Sequence, residues 1–412
     1  MTARFLIPVL AGLAAVGCTR LESDITGQFS KGVCALTDTL AIPDTVTVAS
    51  YNMSIGYEVE SLIASDLDND TVAWHQAHRI LDQYKASLPV ERVQAMAEAI
   101  RARCPDLVGL QETERLKVTK GRTDIPDLPF LDSLLGYLAR NATPECPARY
   151  RAISSPLNTT TRHAAPPDSL RYPALDLSFE EGNAILYDAD AWTVAGDTLT
   201  TRFSDYLQTS ILGQMMPSAR ALQQAAFWHV RGGRRVPYQV WNTHLEVLRG
   251  VRENQSAELA NIASSNCDRT LHPGQILMGD LNDSAGSRTL NNLTQSWQDL
   301  WTLGRGTGEG LTCCASDGRL AVVASPTGGK SRRIDYVLSQ GADTAWGLAH
   351  PLDSAVATPA GAVFPSAKTP RASNTPSLFA SLRTEIEFVD GELTKRSPFG
   401  AYTITRGPRS SA

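Results

Sequence analysis

Five hydrophobic runs in this chain each end in a short polar motif: Asn52, Gln111-Glu112, Asn242-Thr243-His244-Leu245, Gly279-Asp280-Leu281-Asn282 and Arg333-Ile334-Asp335-Tyr336. Runs such as Thr45 to Tyr51, Leu107 to Leu110 and Gln275 to Met278 are short and rich in β-branched and aliphatic residues, as buried strands are. If these strands share a sandwich, their polar ends converge on one rim, where ligand sites of layered α/β folds lie.

Helical segments separate the strands. Pro89 opens one, in which Val93, Met96, Ala97, Ile100 and Cys104 recur at helix spacing until Pro105. Others are expected around Phe130 to Leu138 and Glu253 to Ser265. Ala184 to Tyr187 and Trp192 to Val194 read as strands, and Ala225 to Val230 and Val236 to Trp241 as a hairpin turning at Gly232-Gly233. Residues 142–180, with six prolines, read as a long loop, as does 353–376. Val337-Leu338 and Leu378 to Phe388 are expected as later strands. Strands outnumber helices, and no internal repeat is present.

Residues 1–18 read as an export signal: Arg4, then the apolar run Phe5 to Val16, too short to span a membrane. The run ends in Ala15-Val16-Gly17-Cys18, which resembles a lipoprotein cleavage box with Cys18 as the lipidated residue. The expectation is an exported, membrane-anchored chain facing the periplasm or cell exterior, a monomer touching the membrane through its lipid only. Residues 19–44 then form a tether, 45–390 the folded domain and 391–412 a C-terminal tail. Besides Cys18, six cysteines remain (Cys34, Cys104, Cys146, Cys267, Cys313, Cys314), and an even set in an exported chain predicts structural disulfides among 15 possible pairings. The net charge of −5 argues against a dedicated nucleic-acid binder.

Glu112, Asp280 and Asp335 on one rim would repel one another unless a cation or shared proton compensates. Oxygen and amide ligands suit a hard cation such as Mg²⁺, commonly held through one or two carboxylates plus substrate phosphate. A nearby His244 can move a proton or donate to phosphate oxygens. Each motif alone has an ordinary structural use as a turn, a cap or an ion pair; the ordered set is what points to chemistry.

That set resembles the endonuclease/exonuclease/phosphatase superfamily. The matching pieces are Ser50-Tyr51-Asn52-Met53, Asp106 to Glu112, Gly182 to Leu186, Asn242 to Leu245, Gly279 to Asn282 and Arg333 to Leu338; Leu311 to Cys314 resembles a segment of some bacterial members. The resemblance implies a four-layer α/β/β/α sandwich of two mixed β-sheets flanked by helices. It implies hydrolysis of a phosphodiester or phosphomonoester by in-line attack of water. Asn52 and Glu112 would hold Mg²⁺ or Mn²⁺. Asp280 would orient or deprotonate the water, Asn282 would contact phosphate or water, and His244, paired with Asp335, would donate to the phosphate.

The chain departs from the family at its C-terminal motif. Ser373-Asn374-Thr375 stands where Ser-Asp-His is expected, and Thr375 cannot act as an imidazolium. Losing one acid/base group costs about 10²- to 10⁴-fold in rate. Two functions remain open: a weakened phosphoesterase, or a catalytically impaired relative that binds a phosphate ligand or partner. Phe227, Trp228, Arg231, Arg234 and Arg235 on the hairpin are further candidates to touch substrate, though a solvated hairpin explains them equally.

Overall fold

The computed structural model describes residues 45–54, 56–57, 70–144, 146–156, 175–211, 214–231, 234–265, 274–303, 312–315, 330–340, 344–345 and 402–405. All of them fall within one unit, Ala35–Ala412. The export signal with Cys18, the tether, the 353–376 loop, the strand expected at 378–388 and Ser373-Asn374-Thr375 lie outside the described residues.

In chain order the strands are β1 (Thr45–Asn52), β2 (Leu107–Gln111), β3 (Arg115–Lys120), β4 (Tyr150–Pro156), β5 (Asp176–Glu180), β6 (Gly182–Asp188), β7 (Trp192–Arg202), β8 (Leu207–Ile211), β9 (Gln214–Ser218), β10 (Ala221–Arg231), β11 (Arg234–His244), β12 (Gly274–Asp280), β13 (Gln298–Asp299), β14 (Cys313–Ala315), β15 (Lys330–Arg332), β16 (Asp335–Gln340), β17 (Thr344–Ala345) and β18 (Tyr402–Thr405). The helices are α1 (Asp70–Ala86), α2 (Pro89–Arg103), α3 (Phe130–Arg140), α4 (Arg249–Ser265), α5 (Arg288–Thr294) and α6 (Leu300–Leu303).

The strands build two six-stranded mixed sheets, ordered β17-β18-β1-β2-β6-β4 and β13-β16-β12-β11-β10-β7. Each has one parallel pair at its centre, β1 with β2 and β11 with β12, and antiparallel neighbours outside it. The parallel pairs follow from the connections. A parallel neighbour needs a crossover of a dozen or more residues, and α1 and α2 fill one crossover while α4 fills the other.

Strand alternation sets the layers. On β1 and β2, Val46, Val48 and Leu107 face the second sheet, where they meet Phe227, Val240, Ile276, Met278 and Val337. Tyr51, Val108 and Leu110 point the other way, onto Leu81 and Tyr84 of α1, Val93, Met96 and Ile100 of α2, and Phe130 and Leu134 of α3. Trp241, Leu277 and Leu338 of the second sheet pack outward on Leu259 of α4 and on Leu290 and Leu293 of α5. The result is the expected sequence of layers: helices, sheet, sheet, helices. Each fully buried aliphatic or aromatic side chain contributes about 1.5–3 kcal/mol.

The structure revises several segmental expectations. Residues 142–180 are not all loop. Tyr150–Pro156 forms the edge strand β4 on β6, and Asp176–Glu180 pairs with β3. Tyr150–Pro156 carries little alternation and Asp176–Glu180 alternates over only five residues, and partners distant in the chain supply their hydrogen bonds. Tyr402–Thr405, expected within the tail, pairs antiparallel with β1, placing part of 391–412 in the first sheet. The 225–241 hairpin extends over Ala221–Arg231 and Arg234–His244, with Gly232-Gly233 outside the described residues. Cys104 is disulfide-bonded to Cys146, and Cys313 is also disulfide-bonded. Among the described residues no helix is long and apolar enough to cross a membrane.

Candidate active site

The two central parallel pairs end together. In β1–β2 register, Asn52 sits beside Gln111, with Glu112 one residue beyond; in β11–β12 and β12–β16 register, His244, Asp280 and Asp335 stand in one row. The sheets bring these ends into contact. Asn52 Nδ2 donates to Glu112 Oε1 at 2.9 Å and to Asp280 Oδ2 at 3.0 Å, so one amide from the first sheet holds a carboxylate of each.

Local backbone geometry aims the groups. Asn52 Oδ1 accepts from Ser54 N at 2.8 Å, and Asp280 Oδ1 accepts from Asn282 N at 2.8 Å, an Asx turn at the end of each strand. Ser54, Glu112 and Asn282 all have φ between 51° and 56°. Asparagine tolerates that left-handed conformation, but for glutamate it is unusual. Such strain, roughly 1–3 kcal/mol per residue, persists where surrounding contacts over-determine it, and it clusters at functional sites. Arg92 of α2 helps to hold the first turn, its Nη1 donating to Ser54 O at 2.7 Å.

The electrostatics are those of crowded, dry carboxylates. Burial pushes Glu112 up to about 7 against the help of Asn52, and nearby Glu181 adds to the rise. Burial likewise raises Asp280. His244, 2% exposed at its side chain, is driven well below the usual imidazole range, first by burial and then by Arg220. Burial works against the charge of Arg220, but Glu181, Glu246, Glu112 and Asp280 more than offset it.

Arg220 Nη1 lies 2.5 Å from Glu181 Oε1 and 2.8 Å from His244 Nδ1. A guanidinium only donates, so Nδ1 is the acceptor of this contact. Nε2 lies 3.0 Å from Asn282 Nδ2, which also only donates, and 3.9 Å from both Glu112 Oε1 and Asp280 Oδ2. With donors at both ring nitrogens, His244 is held neutral beside the carboxylates.

Of the residues expected from sequence, Asn52, Glu112, His244, Asp280 and Asn282 come together. Asp335 is fully buried beside Asp280, but the expected His244–Asp335 pair does not form, because Arg220 and Asn282 occupy the two ring nitrogens. Arg333 binds Asp299, Nη1 to Oδ1 at 3.0 Å, and is structural. Phe227 is buried between the sheets and faces no substrate. Sequence reasoning missed Arg220 and Glu181. The only signal for Glu181 was a charge directly before the Gly182-Asn183 motif, and Arg220 precedes the long strand β10 without any motif of its own.

The donor set can be tested for a cation. The half-buried Glu112 and the buried Asp280 share one neutral amide donor, and both resist ionisation. Among the described residues no three acidic, imidazole or thiol side chains converge as a complete cage. Mg²⁺ or Mn²⁺ needs only one or two protein carboxylates beside water and substrate, and Glu112 and Asp280, both joined to Asn52 Nδ2, supply that number.

No protein-family model and no curated protein matches the sequence. Among solved structures, the chain is similar to an endonuclease/exonuclease/phosphatase from Bacteroides vulgatus (14% identity, 74% of this chain and 92% of that one covered, TM-score 0.42). It is also similar to an endonuclease/exonuclease/phosphatase from Beutenbergia cavernae (15% identity, 88% and 72% covered, TM-score 0.46) and to a Bacteroides thetaiotaomicron mannosyl-6-phosphatase (15% identity, 74% and 87% covered, TM-score 0.40). In its own ordered motifs and its two helix-flanked mixed sheets, the chain has the architecture that its resemblance to the endonuclease/exonuclease/phosphatase superfamily implied.

Proposed function

We propose that this protein is a divalent-metal-dependent phosphoesterase, exported and lipid-anchored through Cys18, acting as a monomer on a phosphate ester. The observation that carries the reading is the Glu112–Asn52–Asp280 bridge, which joins a half-buried and a buried carboxylate across the sheets beside a neutral histidine. Export and anchoring rest on residues 1–18 alone.

Glu112 and Asn52 would hold Mg²⁺ or Mn²⁺, which when bound neutralises charge on the phosphoryl oxygens. Asp280, its oxygens fixed by Asn52 and Asn282, takes the proton of the attacking water. Its raised proton affinity makes it a better base than a solvated aspartate. His244 Nε2–H donates to a phosphoryl oxygen without itself transferring a proton, Arg220 holds the ring, and Asn282 orients water or phosphate. Asp335 stands behind Asp280 as a third carboxylate of the row. Thr375 offers the leaving oxygen no acidic proton, so esters with acidic leaving groups are favoured over alkyl esters.

The test is hydrolysis of bis(p-nitrophenyl) phosphate by the purified chain with Mg²⁺, with Mn²⁺ and with chelator, Asp280→Ala serving as background. Metal-dependent turnover above that background supports the reading, and a gain with Thr375→His locates the weakness in the last motif. Wild type equal to Asp280→Ala under every metal sinks the enzyme; retained Mn²⁺ binding would then favour the impaired, ligand-binding relative.

A further inference from the structure

One residue deeper than Glu112, and two deeper than His244, the sheets are tied by a second polar contact. Gln111 Nε2 donates to Asn242 Oδ1 at 2.7 Å, and Asn242 Nδ2 donates to Leu110 O at 2.8 Å and Ala184 O at 2.9 Å. Both side chains are fully buried. Asn242 thus projects from the second sheet and binds two neighbouring strands and one side chain of the first. It lies at the edge of an inter-sheet core that is otherwise aliphatic and aromatic. The opposing backbone has been cleared for it: a Cβ on Gly109 would stand 2.9 Å from Asn242 Oδ1 and 2.6 Å from Met278 Cβ.

Apolar side chains would join the sheets as well, but apolar contact is non-directional and tolerates sliding. Three amide hydrogen bonds with fixed donors and acceptors do not. The residues directly above this contact are the ones whose separation across the sheets matters, since Asn52 on one sheet must meet Asp280 on the other at 3.0 Å. We infer that Gln111 and Asn242 are positioning residues, a directional strut that sets the offset between the sheets so that Glu112 and Asn52 on one meet Asp280 and His244 on the other. This inference rests on the proposed metal-dependent reading of the site.

The deciding variant is Gln111→Met/Asn242→Leu, which replaces both amides by apolar chains of similar shape. Removing both partners of the Gln111–Asn242 bond is nearly neutral, while Leu110 O and Ala184 O each lose one donor, so the melting temperature is expected to fall by no more than about 10 °C. Mn²⁺ affinity, measured by isothermal titration calorimetry on the full chain, is expected to fall roughly 10- to 100-fold, the usual effect of losing a support behind metal ligands. Unchanged affinity overturns the strut. So does an affinity loss that only tracks a large fall in melting temperature, since general loosening would explain both. If the double variant does not fold, Gln111→Met alone is judged by the same two measurements. A wild type that binds no Mn²⁺ would instead defeat the metal-dependent reading. The strut would then stand or fall on the two single variants and the double in urea unfolding: strong non-additivity supports it, and additivity overturns it.

Discussion

Arg220 Nη1 approaches His244 Nδ1 to 2.8 Å while Asn282 Nδ2 approaches Nε2 to 3.0 Å, so both ring nitrogens face donors and the charged ring is disfavoured. Because a guanidinium has no acceptor, Nδ1 accepts, and the donor in the proposed function is the Nε2–H of a neutral ring. In Arg220→Gln the cation that lowers the imidazole is gone, and His244 titrates closer to the ordinary histidine range. Long-range ¹H–¹⁵N spectra of the ring should show the Nε2–H tautomer in wild type from pH 6 to 8 and a protonated ring appearing in the variant on acidification. A wild-type ring carrying its proton on Nδ1 contradicts the assignment.

His244→Ala removes one preorganised donor, and metal-dependent turnover is expected to fall about 10²- to 10³-fold. His244→Gln, which can still present an N–H, should recover part of that loss. Steady-state kinetics with a common substrate compare the two; equal activities would show that the N–H is not used.

Glu112 gives the metal-free protein a pH-dependent stability. Its carboxyl is raised from 4.5 to about 7 in the folded state, so the native state binds more protons than the unfolded state between those values. Stability from this group is present below about pH 4.5 and is lost as pH rises through 7. His244 acts oppositely: lowered in the native state, it costs stability as the unfolded chain protonates below about 6.5. The Glu112 contribution is therefore read as a difference. In chelator, Glu112→Gln should gain stability over wild type as pH is raised from 5 to 8, and saturating Mg²⁺ should narrow the gap by stabilising wild type. A gap that stays constant across this range rules the shift out.

Gly279 permits the close approach of β11 and β12 just below Asp280. A Cβ there would collide with the carbonyl oxygen of Thr243, a backbone atom that cannot swing aside. Gly279→Ala is expected to cost at least about 1–3 kcal/mol, the usual range for overpacking, and to lower Mn²⁺ affinity as well, because the displaced strands carry Asp280 and His244. Guanidinium unfolding and calorimetry report the two effects.

The Cys104–Cys146 bond links the end of α2 to the segment before β4 across 42 residues. Cys104→Ser/Cys146→Ser should lose about 2–4 kcal/mol, with metal affinity unchanged because the bond does not touch the site. A loss of affinity in that variant would show that α2 transmits strain to the Asn52 turn through Arg92.

Much of this arrangement is legible in the residues themselves. The β-branched runs give strands, Pro89 and Pro105 bracket α2 as expected, and Asn52, Glu112, His244 and Asp280 at the ends of their runs reach one rim, whereas Asp335 joins them by opening β16 rather than closing a run. The unexpected strands have a common cause. Tyr150–Pro156 lacks alternation, Asp176–Glu180 and Tyr402–Thr405 alternate over only five and four residues, and all three become strands because distant partners satisfy their backbone groups. The roles within each motif are a subtler case. Gln111 and Asn242 sit in the same motifs as Glu112 and His244, yet they lie one and two residues deeper between the sheets, where they bind each other rather than a ligand.

The sequence by itself determined which residue types stand at the strand ends, and hence the family resemblance and the inventory of the site. It did so because strand periodicity and turn chemistry are local. The tertiary structure decided who meets whom: Asn52 between Glu112 and Asp280, Arg220 rather than Asp335 on His244, and Gln111 against Asn242. Those pairings join residues from 24 to 228 positions apart. No local pattern encodes them, because they arise only when the two sheets pack face to face and fix the offset between strands that the chain leaves far apart.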